Sequence, residues 1–228
     1  MTRTMGAVVI AALLVPAARA FAQESTLEDA QRAFYNGKYE AAAEATLEPC
    51  SAGADGLAAC ELRTAALHFR IKRALGTPAD KKKALKQCAA CPELMSAFEA
   101  ALAQGLALAR ARLQTHPEDH AALFLLGKMN LNYVWLHLGT LGRRTGWDEY
   151  WEARRALDKV LEAQPEHVRA RVARGWIDYI VDTKMPWGMG WLLGGGNKKR
   201  GLLAVREAAG AEADFFTRAE ARFALWDM

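Results

Sequence analysis

Pro117-Glu118-Asp119-His120-Ala121-Ala122-Leu123-Phe124-Leu125-Leu126-Gly127 has a counterpart 48 residues on, Pro165-Glu166-His167-Val168-Arg169-Ala170-Arg171-Val172-Ala173-Arg174-Gly175. In each copy a proline stands where a helix can begin, because proline in a first turn gives up no backbone bond. In each a glycine follows ten residues later, inside an apolar run of helical spacing. Glycine costs a helix interior about 1 kcal/mol relative to alanine. Its use twice in one register predicts close approach of a neighbouring helix. Ala153, Leu157 and Val160 precede Pro165 by twelve, eight and five residues, and apolar side chains of small and medium size there let two helices of a hairpin nest.

Outward from this repeat the helical spacing continues, and little of the chain reads as strand. Leu94, Phe98, Leu102, Leu106, Ala109 and Leu113 make one apolar stripe over 91–115, leaving Arg110, Arg112 and Gln114 to water. Further long helices are expected over 118–138, 147–163 and 166–183, with others at 25–35, 38–48, 57–75, 79–87, 197–209 and 213–227. Ser25 and Glu28 have capping-box spacing. Asn36-Gly37 suits a helix end, and Pro49 is expected to stop the second helix. Loops are expected at 51–56 and at 184–196, which holds Pro186 and five glycines. The final Phe223-Ala224-Leu225-Trp226-Asp227-Met228 is apolar and helical, as in a chain that continues or one that packs tightly at its end.

This pattern resembles the tetratricopeptide repeat, a 34-residue helix–turn–helix unit. Leu126-Gly127 is similar to the family's Leu-Gly on its first helix. Ala153, Leu157, Val160 and Pro165 match its second-helix pattern, and Gly37-Lys38-Tyr39-Glu40-Ala41-Ala42 looks like its turn and second-helix start. The likeness covers 23–49 and 118–209, while 50–115 match poorly. The repeat spacing exceeds the family's period by 14, which fits an insertion at Val134–Trp147, and a second insertion fits 184–196. Residues 130–228 also resemble exported bacterial proteins of this repeat class without assigned activity. Asn132-Tyr133-Val134-Trp135, Gly146-Trp147-Asp148-Glu149-Tyr150-Trp151 and Leu193-Gly194-Gly195-Gly196-Asn197-Lys198-Lys199 carry that likeness. The resemblance implies an all-α, right-handed solenoid of antiparallel helix hairpins with inserted loops, divergent over 23–115 and clearer over 116–228.

Arg3, the apolar run Met5–Val15 and Ala18-Arg19-Ala20-Phe21-Ala22 read as a secretory signal peptide over 1–22. The run is too short to span a bilayer, which takes about 20 apolar residues. Without it, 28 Lys and Arg face 26 Asp and Glu, a net charge of +2. That balance does not suggest nucleic acid. No later segment is long enough to span a membrane. Cys50, Cys60, Cys88 and Cys91 in an exported chain suggest disulfides. Three pairings are possible, of which the local one, Cys50 with Cys60 and Cys88 with Cys91, is favoured.

Six of the seven tryptophans lie between 135 and 191. They suit either an aromatic groove or core packing, with Trp151 and Trp176 on apolar stripes and Trp187 and Trp191 in the glycine-rich loop. Cys88-Ala89-Ala90-Cys91 has redox spacing without the βαβ context such sites use. His116 and His120 lack a third ligand, so no metal is expected. Gly194-Gly195-Gly196-Asn197-Lys198-Lys199-Arg200 could hold an anion at a helix start or be a plain turn. Asp178, with Arg171, Arg174 and Lys184 nearby, reads as helix-surface ion pairing. No catalytic set, cofactor or metal site is evident, and the chain does not read as an enzyme. The expected function is an exported scaffold whose groove takes a protein or peptide segment. Lys128, Asn130, Tyr133 and Asp178 would line that groove, and Trp187 and Trp191 would make a second contact. The alternative is a small-molecule or lipid-like ligand binder of a periplasmic transport system, which an apolar tunnel lined by Trp135, Trp147 and Trp176 would favour.

Overall fold

A computed structural model describes residues 27–51, 56–138, 146–184 and 190–228. The expected signal peptide and Ser25 lie outside the described residues. Among those described the chain is all-helical, with no strand. The helices are α1 (27–35), α2 (Tyr39–Ala45), α3 (Leu47–Ser51), α4 (Leu57–Leu75), α5 (Lys81–Gln87) and α6 (Cys91–Thr115), then α7 (His120–His137), α8 (Trp147–Ala163), α9 (Val168–Lys184), α10 (Lys198–Gly210) and α11 (Phe215–Asp227). A 3₁₀ turn covers Gly190–Leu193.

Pro49 does not stop a helix, contrary to the expectation. The break comes three residues earlier at Thr46, whose buried hydroxyl donates to the Ala42 carbonyl at 2.7 Å. Pro49 then sits in the first turn of α3, where its missing N–H costs nothing. The two repeated prolines lie just outside their helices rather than at the first helical position. Asp119 and His167 take the capping role instead, accepting from the N–H groups of Ala122 and Ala170. The turns before them have the same backbone. His116 has φ/ψ of −133°/77° and Gln164 has −134°/75°, and each turn is closed by a bond between residues three apart, Asp119 N–H to His116 O and His167 N–H to Gln164 O. The repeat in the sequence is thus a repeat in geometry.

Side-chain pairs give the helix directions. Glu61 approaches Lys128 and Asn132 donates to Thr64, so α4 and α7 run parallel. Phe124 meets His167 and Trp135 meets Trp176, so α7 and α9 run parallel. Arg169 meets Glu220 and Tyr179 meets Met228, so α9 and α11 do too. Helices α6, α8 and α10 pack between or beside them and return the chain. Phe223 of α11 contacts Phe34, Tyr35 and Phe69, which brings the last helix against the first and closes the set.

The interfaces are built from small residues. Ala42, Ala66, Ala109, Ala122, Ala153, Ala170, Ala208 and Ala221 are all fully buried, which sets short interaxial distances. A Cβ on Gly127 would stand 3.0 Å from Leu157 Cγ of α8. One on Gly175 would stand 2.9 Å from the Gly201 carbonyl oxygen of α10, and one on Gly201 2.4 Å from that of Gly175. Both repeat glycines therefore mark helix crossings, as their register predicts. The cysteines pair as Cys50–Cys60 and Cys88–Cys91. The first pair is buried and ties α3 to α4, and the second closes the turn into α6.

Gly201→Ala puts a methyl against backbone that cannot move aside. We expect a loss of about 2 kcal/mol in urea unfolding, the scale of core overpacking. Gly210→Ala, with nothing within 4 Å of the added Cβ, should be neutral or stabilising by up to about 1 kcal/mol. Equal stabilities for the two variants would contradict the crossing geometry.

Candidate functional site

Because α4, α7, α9 and α11 run side by side, the faces they turn inward enclose a cavity of about 490 Å³. This lies within the range of ligand pockets, roughly 300–1,000 Å³. Aromatic rings dominate its walls: Phe34 and Tyr35 from α1, Phe69 from α4, Trp135 from α7, Trp176 from α9 and Phe223 from α11. Trp135 and Trp176 lie with ring centroids 6.2 Å apart on one side. Phe34, Phe69 and Phe223 form a mutually contacting group on the other.

One end of the cavity carries four charges from four helices. Glu220 binds Lys128 Nζ at 2.6 Å and Arg169 Nε at 2.5 Å. Glu61 stands 4.0 Å from each of the same two cations. Burial opposes charge on Glu220, but Arg169 and Lys128 outweigh it and hold the carboxyl at about 2. For Lys128 and Arg169 burial likewise opposes the charged form, and Glu220 and Glu61 overcome it, so both are raised. Tyr35 lies beside the cluster and its hydroxyl is raised well above its ordinary range, first by burial and then by Glu220. The cluster is neutral as a unit, and it joins α11 to α4, α7 and α9.

The opposite end is cationic. Lys81, half-buried at the start of α5, donates to the carbonyl oxygens of Leu136 and Leu138 at the end of α7. Burial and then Lys72 lower its pKa. His68 faces the same space and is held neutral, its pKa pushed down to about 3 by burial and then by Lys81, Lys72 and His137.

The residues expected to line an open groove are placed differently. Asn130 is fully buried and donates to Glu152 at 2.8 Å. Asp178 is 4 % exposed and accepts from Arg174 at 2.7 Å and Arg200 at 2.9 Å. Both are corrected to structural positions, since each satisfies a polar group inside the helix packing. Lys128 does line the cavity, but this chain's own Glu220 occupies its ammonium. Tyr133 is half-buried against His137, outside the cavity wall. Trp187 and the side chain of Trp191 lie outside the described residues. Of the three tryptophans expected around a tunnel, Trp135 and Trp176 line the cavity, whereas Trp147 packs edge-on against Trp151 elsewhere.

The glycine-rich basic stretch is anchored at its backbone while Lys198, Lys199 and Arg200 stay exposed. Asn197 caps α10, Arg200 reaches Asp178, and the Lys198 N–H donates to the Asp182 carboxylate at 2.7 Å. That carboxylate already fills the place an anion would take at this helix start. Among the described residues no group of three or more metal-ligating side chains converges.

Glu61, Arg169 and Glu220 are not apparent from sequence spacing. A signal exists in hindsight: Lys128 is the sole Lys, Arg, Asp or Glu in α7, and Glu61 the sole acid in α4. The lone charge of α7, on an otherwise apolar helix, needs a partner from another helix.

Comparison with protein-family models, curated proteins and solved structures gives no match.

Glu220→Gln leaves Lys128 and Arg169 undercompensated in a buried site and should cost about 3–5 kcal/mol. The native Glu220 pKa lies below its ordinary 4.5, so its contribution is present above that pH and lost as pH falls toward 2. The variant's stability, read by chemical denaturation from pH 7 downward, should therefore fall less steeply than the parent's over that window. Parallel curves would show that Glu220 does not hold its charge as the geometry requires.

Proposed function

We propose that this protein is a ligand-binding helical-repeat protein of the cell envelope, holding a small, largely apolar molecule in the cavity between its parallel inner helices. The observation that carries the reading is the cavity itself: about 490 Å³, aromatic-walled, with charged groups confined to its ends. This is the composition expected of ligand pockets, apolar walls with a few placed polar groups. The recurrent Pro-turn, the parallel inner helices and the returning outer ones support a right-handed solenoid of tetratricopeptide type, closed by α11 across its concave face. The two disulfides, and the absence among the described residues of any helix long and apolar enough to cross a membrane, are compatible with export. A periplasmic or secreted location and removal of 1–22 belong to the same proposal.

The test uses prodan, a neutral fluorophore whose emission shifts to the blue in apolar surroundings, alongside native mass spectrometry for a retained molecule. The full chain should bind prodan. Ala65→Trp, which fills the cavity from α4, should weaken binding about tenfold or more, since displaced apolar contact is worth at least 1.4 kcal/mol. Failure of the parent protein to bind prodan, or binding indifferent to Ala65→Trp, would refute the reading.

Exposed apolar residues on α10 and α11 favour a second reading, a protein-binding scaffold. Trp226 is 79 % exposed, Leu203 57 % and Phe215 54 %, and exposed aromatics mark contact surfaces. On that reading Trp226→Ser abolishes capture of a co-purifying envelope protein and leaves prodan binding unchanged. Capture that survives the substitution would place the contact elsewhere.

A further inference from the structure

The two ends of the cavity differ in the way their charges are balanced. At the Glu220 end two cations meet two carboxylates within 4.0 Å. An anion arriving there would confront Glu61 and Glu220, and a cation would confront Lys128 and Arg169. At the other end Lys81 is held by two carbonyl oxygens. An ammonium has three N–H donors, so one remains after those two bonds. No carboxylate pairs with Lys81 among the described residues. Glu61 and Glu220 are the only acidic side chains on the cavity wall as described.

A half-buried cation served only by carbonyls lacks the compensating charge that burial favours. The carbonyls fix its position, at the end of α7, so that the remaining donor need not be ordered when a ligand arrives. His68, facing the same space as a neutral imidazole, supplies one further polar contact without adding charge. Away from this end the wall is aromatic. Along α7 the lining runs from Lys128 to Leu138, ten residues of helix or about 15 Å at 1.5 Å per residue. The space is therefore elongated, apolar in its body, with the Lys81 ammonium presented at one end.

We propose that the cavity takes an anionic amphiphile, a molecule with one carboxylate head and an extended apolar body, its head at Lys81 and its body between the Trp135–Trp176 pair and the Phe34–Phe69–Phe223 group. The assignment rests on the cavity being a binding site, and it adds the sign and place of the ligand's charge. One spare ammonium donor beside one neutral imidazole suits a monoanion. The apolar body supplies affinity through burial, about 0.8 kcal/mol per methylene, and the head fixes orientation through a charge-assisted hydrogen bond.

The experiment displaces prodan from the full-length protein with dodecanoate, dodecanol and dodecyltrimethylammonium, three probes sharing one chain and differing in head charge. Dodecanoate should bind about tenfold more tightly than dodecanol, the difference expected of one charge-assisted hydrogen bond, and the cation most weakly. Lys81→Gln should bring dodecanoate to the affinity of dodecanol and leave dodecanol itself unchanged. Lys82→Gln, on the adjacent residue that does not line the cavity, should alter neither. Prodan binding with dodecanoate no tighter than dodecanol, or a preference for the cation, overturns the assignment while leaving the cavity reading intact. Absence of prodan binding overturns both. If Lys81→Gln does not fold, the order of the three probes on the parent protein still decides.

Discussion

The structure depends on how closely its helices approach. Gly127 leaves room for the Leu157 side chain of α8, Gly175 and Gly201 bring the backbones of α9 and α10 together, and fully buried alanines continue the same close contact along the crossings. Dense packing of small residues replaces the interdigitation of large ones, at the cost of glycine within α7, α9 and α10. Thin walls follow from it. Helices α7 and α9 each lie tightly against an outer partner and present their larger residues, Trp135 and Trp176, to the other side. The aromatic volume that would otherwise fill the hairpins is turned inward, around a cavity.

That inward face could not be wholly apolar, because Lys128, Arg169, Glu61 and Glu220 are on it. Each charge alone would be costly to bury. Brought together from four helices they neutralise one another, and the arrangement fixes the register of α11 against α4, α7 and α9. Such networks are poor sources of net stability but strong discriminators against wrong registers, since any slip strands a charge. The aromatic contacts of Phe223 with Phe34 and Phe69 then complete the closure. The same arrangement takes up both acidic side chains of the wall at one end and leaves Lys81 held by carbonyl oxygens at the other.

Local features of the fold were legible. The helices of the long hairpins fall within a few residues of where periodicity puts them, because apolar spacing and Asp and Asn caps act within one or two turns. The apolar stripe of α6 is buried as read, with Phe98 and Ala109 fully enclosed. The favoured local pairing of the cysteines is the one found. Pro49 was misread because proline's effect depends on its place in a turn, and that place was set by a hydroxyl bond at Thr46. Asp178 pairs with Arg174 as its spacing suggests, but it and Asn130 are buried rather than on an open groove, because polarity on a helix does not distinguish a contact surface from a buried bond. Their partners, Glu152 and Arg200, lie 22 residues away on other helices.

The sequence by itself determined where the helices begin and end, which of their faces are apolar, and that two crossings had to be close. Those properties arise from interactions within a few residues along the chain. Only the tertiary structure decided what the inner faces enclose, that Glu220 returns to Lys128 across 92 positions, and that α11 packs back against α1 and α4. A cavity and its charge distribution are sums over residues from six helices, and no local pattern encodes such a sum. It exists only once the close crossings have set the helices side by side.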